Sequence, residues 1–180
     1  MNQKVIANHL KKGYSDYVFQ FIKKYYRNLN IDSKILDAGA GHYRNLKLFY
    51  DLNFKNLYAV DIEQNENLLK VPVKFIKLNL ENGLPFGDKE FDIVLFNFVL
   101  MFINPDKQKF VLEELIRVTK GYLLIETNSL KAYTKNTFYK KYDFYKMVDL
   151  IEKNKEVEII RLKTGSREKI TLRRKDYAER

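Results

Sequence analysis

The sequence predicts an α/β fold: a three-layer αβα sandwich around a mostly parallel sheet. Three observations point there. A short apolar run reaches Asp37 and a glycine turn, Asp37-Ala38-Gly39-Ala40-Gly41, before a helical segment. Further apolar runs of strand length then alternate with helical stretches as far as Glu126. Such β-α alternation is the pattern of parallel strands joined by right-handed crossovers. The C-terminal end breaks it, because Val157–Leu162 and Lys169–Arg173 alternate about Thr164-Gly165-Ser166 and read as an antiparallel hairpin. The 180 residues suit one domain over 1–180, with an N-terminal helical cap (1–30), a core (31–127), and a helix plus terminal hairpin (128–180).

In chain order, residues 14–29 read as a helix. Tyr14, Tyr17, Val18, Phe21, Ile22 and Tyr25 recur at three- and four-residue spacing, with Ser15 or Asp16 as cap. Strand one covers 34–38, and a helix over 43–52 packs through Leu46, Phe49 and Tyr50. Strand two, 57–60, ends at Asp61, and a short polar helix over 63–70 follows. Pro72 opens strand three, 73–78. Leu84-Pro85-Phe86-Gly87-Asp88 turns the chain into strand four, 92–96. Asn104-Pro105 supplies a cap and a proline at the first helical position. That helix runs to Thr119 with Phe110, Val111, Leu115 and Val118 on one stripe. Strand five is 122–126, and a last helix begins near Asn136 or Thr137 and ends near Lys153.

Composition narrows the chemistry. There is no cysteine, which excludes disulfides, thiolate metal sites and a cysteine nucleophile. No His/Asp/Glu cluster has ligand spacing, so no metal is expected. No leader and no 18-residue apolar run are seen, so a cytoplasmic protein without membrane contact is expected. Net charge is +10 and uneven. Residues 1–30 carry six Lys/Arg against one acid, residues 131–180 fifteen against eight, and the middle twelve against fourteen. The basic ends suit either a solvated surface or a polyanionic partner such as RNA.

Three positions combine at the strand ends. Asp37-x-Gly39-x-Gly41 follows strand one, Asp61 ends strand two and Asn79 ends strand three. In a doubly wound sheet these line one crevice. An acid after strand two suits a ribose diol, since a carboxylate accepts from both hydroxyls. Asn79 offers donor and acceptor to an adenine edge, with Ile62 and Leu80 to sandwich the ring. A dinucleotide fingerprint needs a glycine where Arg44 stands, and no lysine follows the glycines as in a P-loop.

The chain resembles class I, Rossmann-like S-adenosylmethionine-dependent methyltransferases, in particular the subset called type 11. The matching stretches are Ile35 to Gly41, Val60-Asp61-Ile62, and Leu84-Pro85-Phe86 through Phe91-Asp92-Ile93-Val94. Leu112 to Val118 and Gly121 to Ile125 resemble the helix and strand that follow the site. The resemblance implies a seven-stranded sheet of order 3-2-1-4-5-7-6, with strand seven antiparallel. It implies S-adenosylmethionine as cofactor, with Asp37, Gly39 and Gly41 at its methionine end, Asp61 on the ribose and Asn79 at adenine. Asn97, after strand four, is placed near the methyl group or the acceptor. Two residues depart from the family pattern: Tyr43 stands at a frequent third glycine, and Asn79 at a frequent acid.

Methyl transfer needs chiefly proximity and alignment, and a base only for a protonated acceptor. His42 is open to two readings, a base beside the methionine pocket or a turn residue with a solvated ring. Asn97-Phe98-Val99-Leu100 is not an Asn-Pro-Pro-Tyr motif, which argues against exocyclic amines of DNA bases. Residues 131–146 interleave lysines with Tyr133, Phe138, Tyr139, Tyr142 and Tyr145, which suits nucleic acid or, over 138–148, a buried helical stripe; Tyr133 and Lys135 suit a lid. The expected function is methyl transfer to an acceptor that is a small molecule by default, with RNA or another anionic macromolecule as the other class. The alternative is a non-catalytic S-adenosylmethionine-binding module in a complex. A protein partner or a homodimer fits either.

Overall fold

A computed structural model describes residues 13–66, 69–129 and 139–178. Its strands are β1 (Lys34–Ala38), β2 (Asn56–Asp61), β3 (Lys74–Lys77), β4 (Phe91–Asn97), β5 (Thr119–Asn128), β6 (Val157–Lys163) and β7 (Arg167–Arg174). They form one sheet in the order β3-β2-β1-β4-β5-β7-β6. Pairing is parallel from β3 through β5. β7 runs antiparallel to both β5 and β6. This is the expected order. The chain walks outward from β1 to β3, then restarts at β4 on the other side of β1. That reversal opens a crevice at the carboxyl ends of β1 and β4.

The helices are α1 (Asp16–Tyr25), α2 (Arg44–Asp51), α3 (Gln108–Val118) and α4 (Phe144–Glu152). α1 and α2 cover one face of the sheet. Tyr17, Phe21, Leu46 and Phe49 pack there with Ile35, Leu57, Ile93, Leu95 and Tyr122. α3 and α4 cover the other face, where Val111, Leu115, Phe144 and Met147 meet Leu36, Val94, Phe96 and Leu123. Successive strand residues thus enter opposite cores, which is why the central strands read as unbroken apolar runs. α1 begins where Ser15 Oγ accepts from Tyr17 N at 3.1 Å.

Four expectations shift. α3 starts at Gln108, not at Pro105. The Asn104 backbone N–H and side-chain Nδ2 both donate to the Glu81 carboxylate, at 2.7 and 2.8 Å, which orients the side chain toward Glu81, and Lys107 stands at the cap of α3 without a side-chain cap bond. Residues 62–66 and 69–70 are not helical. The 63–70 stretch has no apolar stripe to bury, so packing gives a helix no support. α4 starts at Phe144, because Asp143 caps it by accepting from Lys146 N at 3.0 Å. The earlier start near 136–137 lies outside the described residues, as do Tyr133 and Lys135. Tyr14, Tyr50 and Phe110, placed in packing stripes by spacing, are exposed. Among the described residues no helix is long and apolar enough to cross a membrane.

Candidate active site

The crevice is built from the turn after β1. Gly39 N and Ala40 N both donate to Val60 O, at 2.8 and 3.2 Å, which bends the turn toward β2. Gly39 has φ +83, and a Cβ added there would lie 2.2 Å from Val99 Cγ2. Glycine is therefore needed for packing as well as for conformation. Gly41 has φ +52, and a Cβ added there meets nothing within 4 Å among the described residues. The space over Gly41 is open to a ligand.

Asp61 closes this turn from the end of β2. Its Oδ2 accepts from Gly41 N at 2.8 Å, and its Oδ1 from Ile62 N at 2.8 Å. Asp37 sits beneath the turn and is buried. Burial first, then the Asp61 charge, push its carboxyl up to about 7, against the pull of Arg44. Arg44 Nη1 donates to Gly13 O at 2.9 Å.

Tyr43 keeps the left-handed conformation that a third glycine would take, at φ +59, as the residue before α2. Its ring turns inward, is buried, and meets Phe75 edge-on at 6.4 Å. It therefore packs below the turn and does not cover it. Burial first, then Asp61, raise its hydroxyl above the ordinary tyrosine range. His42 is also buried, not solvated, and neither ring nitrogen has a hydrogen-bond partner among the described residues.

Asn97 ends β4, next to β1. Its Nδ2 donates to Glu126 Oε2 at 3.3 Å, while its Oδ1 is buried without a partner among the described residues. Phe98 follows with φ +61, and its N–H donates to Glu126 O at 2.7 Å. Further along the edge, Leu78 N donates to Asp61 O at 2.8 Å and leads to Asn79. Asn79 Oδ1 accepts from Glu81 N at 3.0 Å, capping the short turn Leu80–Asn82. Ile62 is 60% exposed, whereas Leu80 is buried in the α3-side core. Of the two residues expected to sandwich a ring, only Ile62 presents an open face.

Sequence reasoning missed the centre of the neighbouring corner. Glu126, near the end of β5, has no exposed surface. Ser15 Oγ donates to it, and Arg167 Nη1 and Lys169 Nζ lie 3.3 and 3.4 Å from its Oε1. A signal was present: a carboxylate closing an apolar strand requires cations, and Arg167 and Lys169 alternate on β7. Among the described residues no group of three His, Asp or Glu side chains is arranged to hold a metal.

Comparison with known proteins bears on this geometry. A search of curated proteins finds no match to the sequence. Among solved structures, a SAM-dependent methyltransferase from Aquifex aeolicus superposes with a TM-score of 0.66 at 20% identity, over 87% of this chain and 88% of that one. A 1,6-didemethyltoxoflavin-N1-methyltransferase from Burkholderia thailandensis, solved with S-adenosylhomocysteine, gives 0.64 at 15% identity, over 89% and 88%. A magnesium protoporphyrin IX methyltransferase from Synechocystis, also with S-adenosylhomocysteine, gives 0.65 at 15%, over 88% and 82%. These likenesses concern the fold. The family described as "Methyltransferase domain" matches residues 36–125, from within β1 to within β5, and so spans the glycine turn, Asp61, Asn79 and Asn97. The chain belongs to this family of S-adenosylmethionine-dependent methyltransferases.

Proposed function

We propose that this methyltransferase transfers the methyl group of S-adenosylmethionine to a small-molecule acceptor at the carboxyl ends of β4 and β5. The observation that carries the proposal is the Asp61–Gly41 bond beneath open space. It holds a ribose-binding carboxylate against a turn whose backbone a ligand can approach. The residues present fit the cofactor. Asp37 and Asp61 suit its ammonium and its ribose diol, and the exposed Ile62 suits one face of its adenine. Buried polar atoms without partners among the described residues, Asn97 Oδ1 as acceptor and the His42 ring with one acceptor and one donor nitrogen, are suited to bond a bound molecule. When bound, S-adenosylmethionine supplies an electrophilic methyl group on a good leaving group.

What remains for the protein is position. Gly39 and Gly41 set the approach, Asp61 fixes rotation about the ribose, and Asn97 aligns the reacting end. His42 takes a proton where the acceptor carries one. Two fold relatives, named for 1,6-didemethyltoxoflavin and magnesium protoporphyrin IX, have acceptors that are not macromolecules, which supports the small-molecule class. A second class, RNA, is favoured by one observation, the net charge of +10 with its basic ends.

The test is transfer of labelled methyl to fractionated metabolites, total RNA and protein, with Asn97→Ala and His42→Ala beside wild type. Label is expected in the metabolite fraction and is expected to fall at least tenfold in Asn97→Ala. Label in RNA alone would replace the acceptor class. No label in any fraction would favour the non-catalytic module.

A further inference from the structure

β5 and β7 pair with Glu126 opposite Lys169 and Asn128 opposite Arg167. Alternate residues of a strand share a face. Arg167, Lys169 and Thr171 therefore project to the same side as Glu126, toward α1, where the Tyr17 and Thr171 hydroxyls bond. Glu126 receives Ser15 Oγ and Asn97 Nδ2 on Oε2, and Arg167 and Lys169 on Oε1. A carboxylate has about four lone-pair sites. Three hydrogen bonds and the Lys169 ion pair therefore partner Glu126 within the protein.

The cations around it do have capacity left. Arg167 carries five donors and uses one on Glu126. Its side chain is 44% exposed, and the guanidinium lies 4.9 Å over the Phe98 ring. Lys169 Nζ lies 5.5 Å over the Tyr17 ring, and the Arg161 guanidinium 5.4 Å over the same ring. The charge of Arg44 is felt here too, since Asp37, Arg167 and Glu126 all act on it. Among the described residues the charged groups facing this corner are thus Arg44, Arg161, Lys163, Arg167 and Lys169 against Asp37 and Glu126. Cations are in excess. Phe98 adds a second, independent sign. A bulky residue held at φ +61 is an outlier that persists where its surroundings fix it, commonly at binding sites.

We propose that Arg167 and Lys169 form an anion subsite for the acceptor, with Glu126 as the internal counter-ion that competes for both cations until the acceptor arrives. The inference rests on the methyltransferase reading of the adjoining crevice and names the acceptor class: a small molecule bearing a carboxylate or a phosphate. The Arg167 fork matches two oxygens of either group, and Lys169 adds a point charge. Depth favours a single anionic group over a nucleic-acid backbone. The Lys169 side chain is only 19% exposed and Glu126 is fully buried, whereas backbone phosphates are met by open basic stripes. Asn97 joins the two sites, since it bonds Glu126 at one end and leaves its Oδ1 for the reacting centre.

The experiment titrates the full chain with benzoate, phenyl phosphate and a short single-stranded RNA at low salt, with and without S-adenosylhomocysteine, and reads amide NMR shifts. Saturable shifts at residues 126 and 167–171 are expected with at least one small anion, and the tighter probe distinguishes carboxylate from phosphate. Arg167→Ala is expected to weaken that probe on the order of tenfold, and Arg167→Lys less. Glu126→Gln is expected to tighten it several-fold, because an internal competitor is removed. A merely structural ion pair gives no tightening. The proposal is overturned by the absence of saturable shifts for both small anions, by weaker binding in Glu126→Gln, or by shifts with RNA alone. S-adenosylhomocysteine affinity, read in the same samples, keeps the two ideas apart. Its absence in wild type overturns the crevice reading while the anion titration without cofactor still reports on the subsite.

Discussion

Asp37 and Asp61 put two carboxylates on one glycine turn, and they are held differently. Asp61 accepts two backbone N–H groups. Asp37 is buried, and its carboxyl, ordinarily at 3.8, is pushed up to about 7. Between those values the folded state binds more protons than the unfolded chain. Stability therefore falls as pH rises across that window. A shift of that size corresponds to on the order of 4 kcal/mol. Urea unfolding at pH values spanning about 4 to 8 is expected to show this slope in wild type and a flatter one in Asp37→Asn. The same ionisation makes Asp37 a better partner for the methionine ammonium, so S-adenosylhomocysteine is expected to bind more tightly as pH rises through 7. A flat profile for both variants contradicts the assignment. The acids and glycines of the turn are legible in sequence because their spacing marks where strands end. Glu126 is not, because its partners come from Ser15 and from a hairpin some forty residues further on.

At the scale of elements, the two glycines of the turn separate packing from binding. Gly39→Ala places a methyl 2.2 Å from a branched valine in a left-handed backbone. The backbone alone costs about 1–2 kcal/mol, and the contact adds to it. Gly41→Ala shares the backbone cost but meets only open space. Melting curves with calorimetry are expected to show the larger loss of stability in Gly39→Ala. In Gly41→Ala the larger loss is expected in cofactor affinity. Equal effects on both readouts contradict the division. Helix starts were the least legible elements, and the reasons are local. Asn104 has the residue type of a cap, yet the Glu81 carboxylate occupies it. The polar stretch after Asp61 has helix-forming residues but no apolar stripe at helical spacing. Tyr43 stands where the family often has glycine, and its ring packs inward against Phe75.

Across the whole molecule, the sheet order decides where chemistry is possible. The reversal between β1 and β4 opens the crevice, and the returning β7 brings Arg167 and Lys169 to its border. Two apolar cores support this frame. Leu115 has no exposed surface on the α3 side, and Leu115→Ala is expected to cost about 2–5 kcal/mol in urea unfolding. A loss well under 1 kcal/mol contradicts the α3 packing described here. The strand order is legible because Leu84-Pro85-Phe86 and Phe91-Asp92-Ile93-Val94 carry a family resemblance as well as a strand pattern. The corner at β5 and β7 is legible in its strand order but not in its contacts, because Glu126 meets Arg167 and Lys169 only through the register of that pairing.

The central claim is that Asp61, clamped to Gly41, holds the methyl donor in this crevice. Calorimetric titration of wild type and Asp61→Ala with S-adenosylhomocysteine tests it most directly. Binding in wild type and a loss on the order of tenfold to a hundredfold in Asp61→Ala are expected, with both proteins folded by circular dichroism. Equal affinity in the two proteins, or no binding in wild type, contradicts the claim.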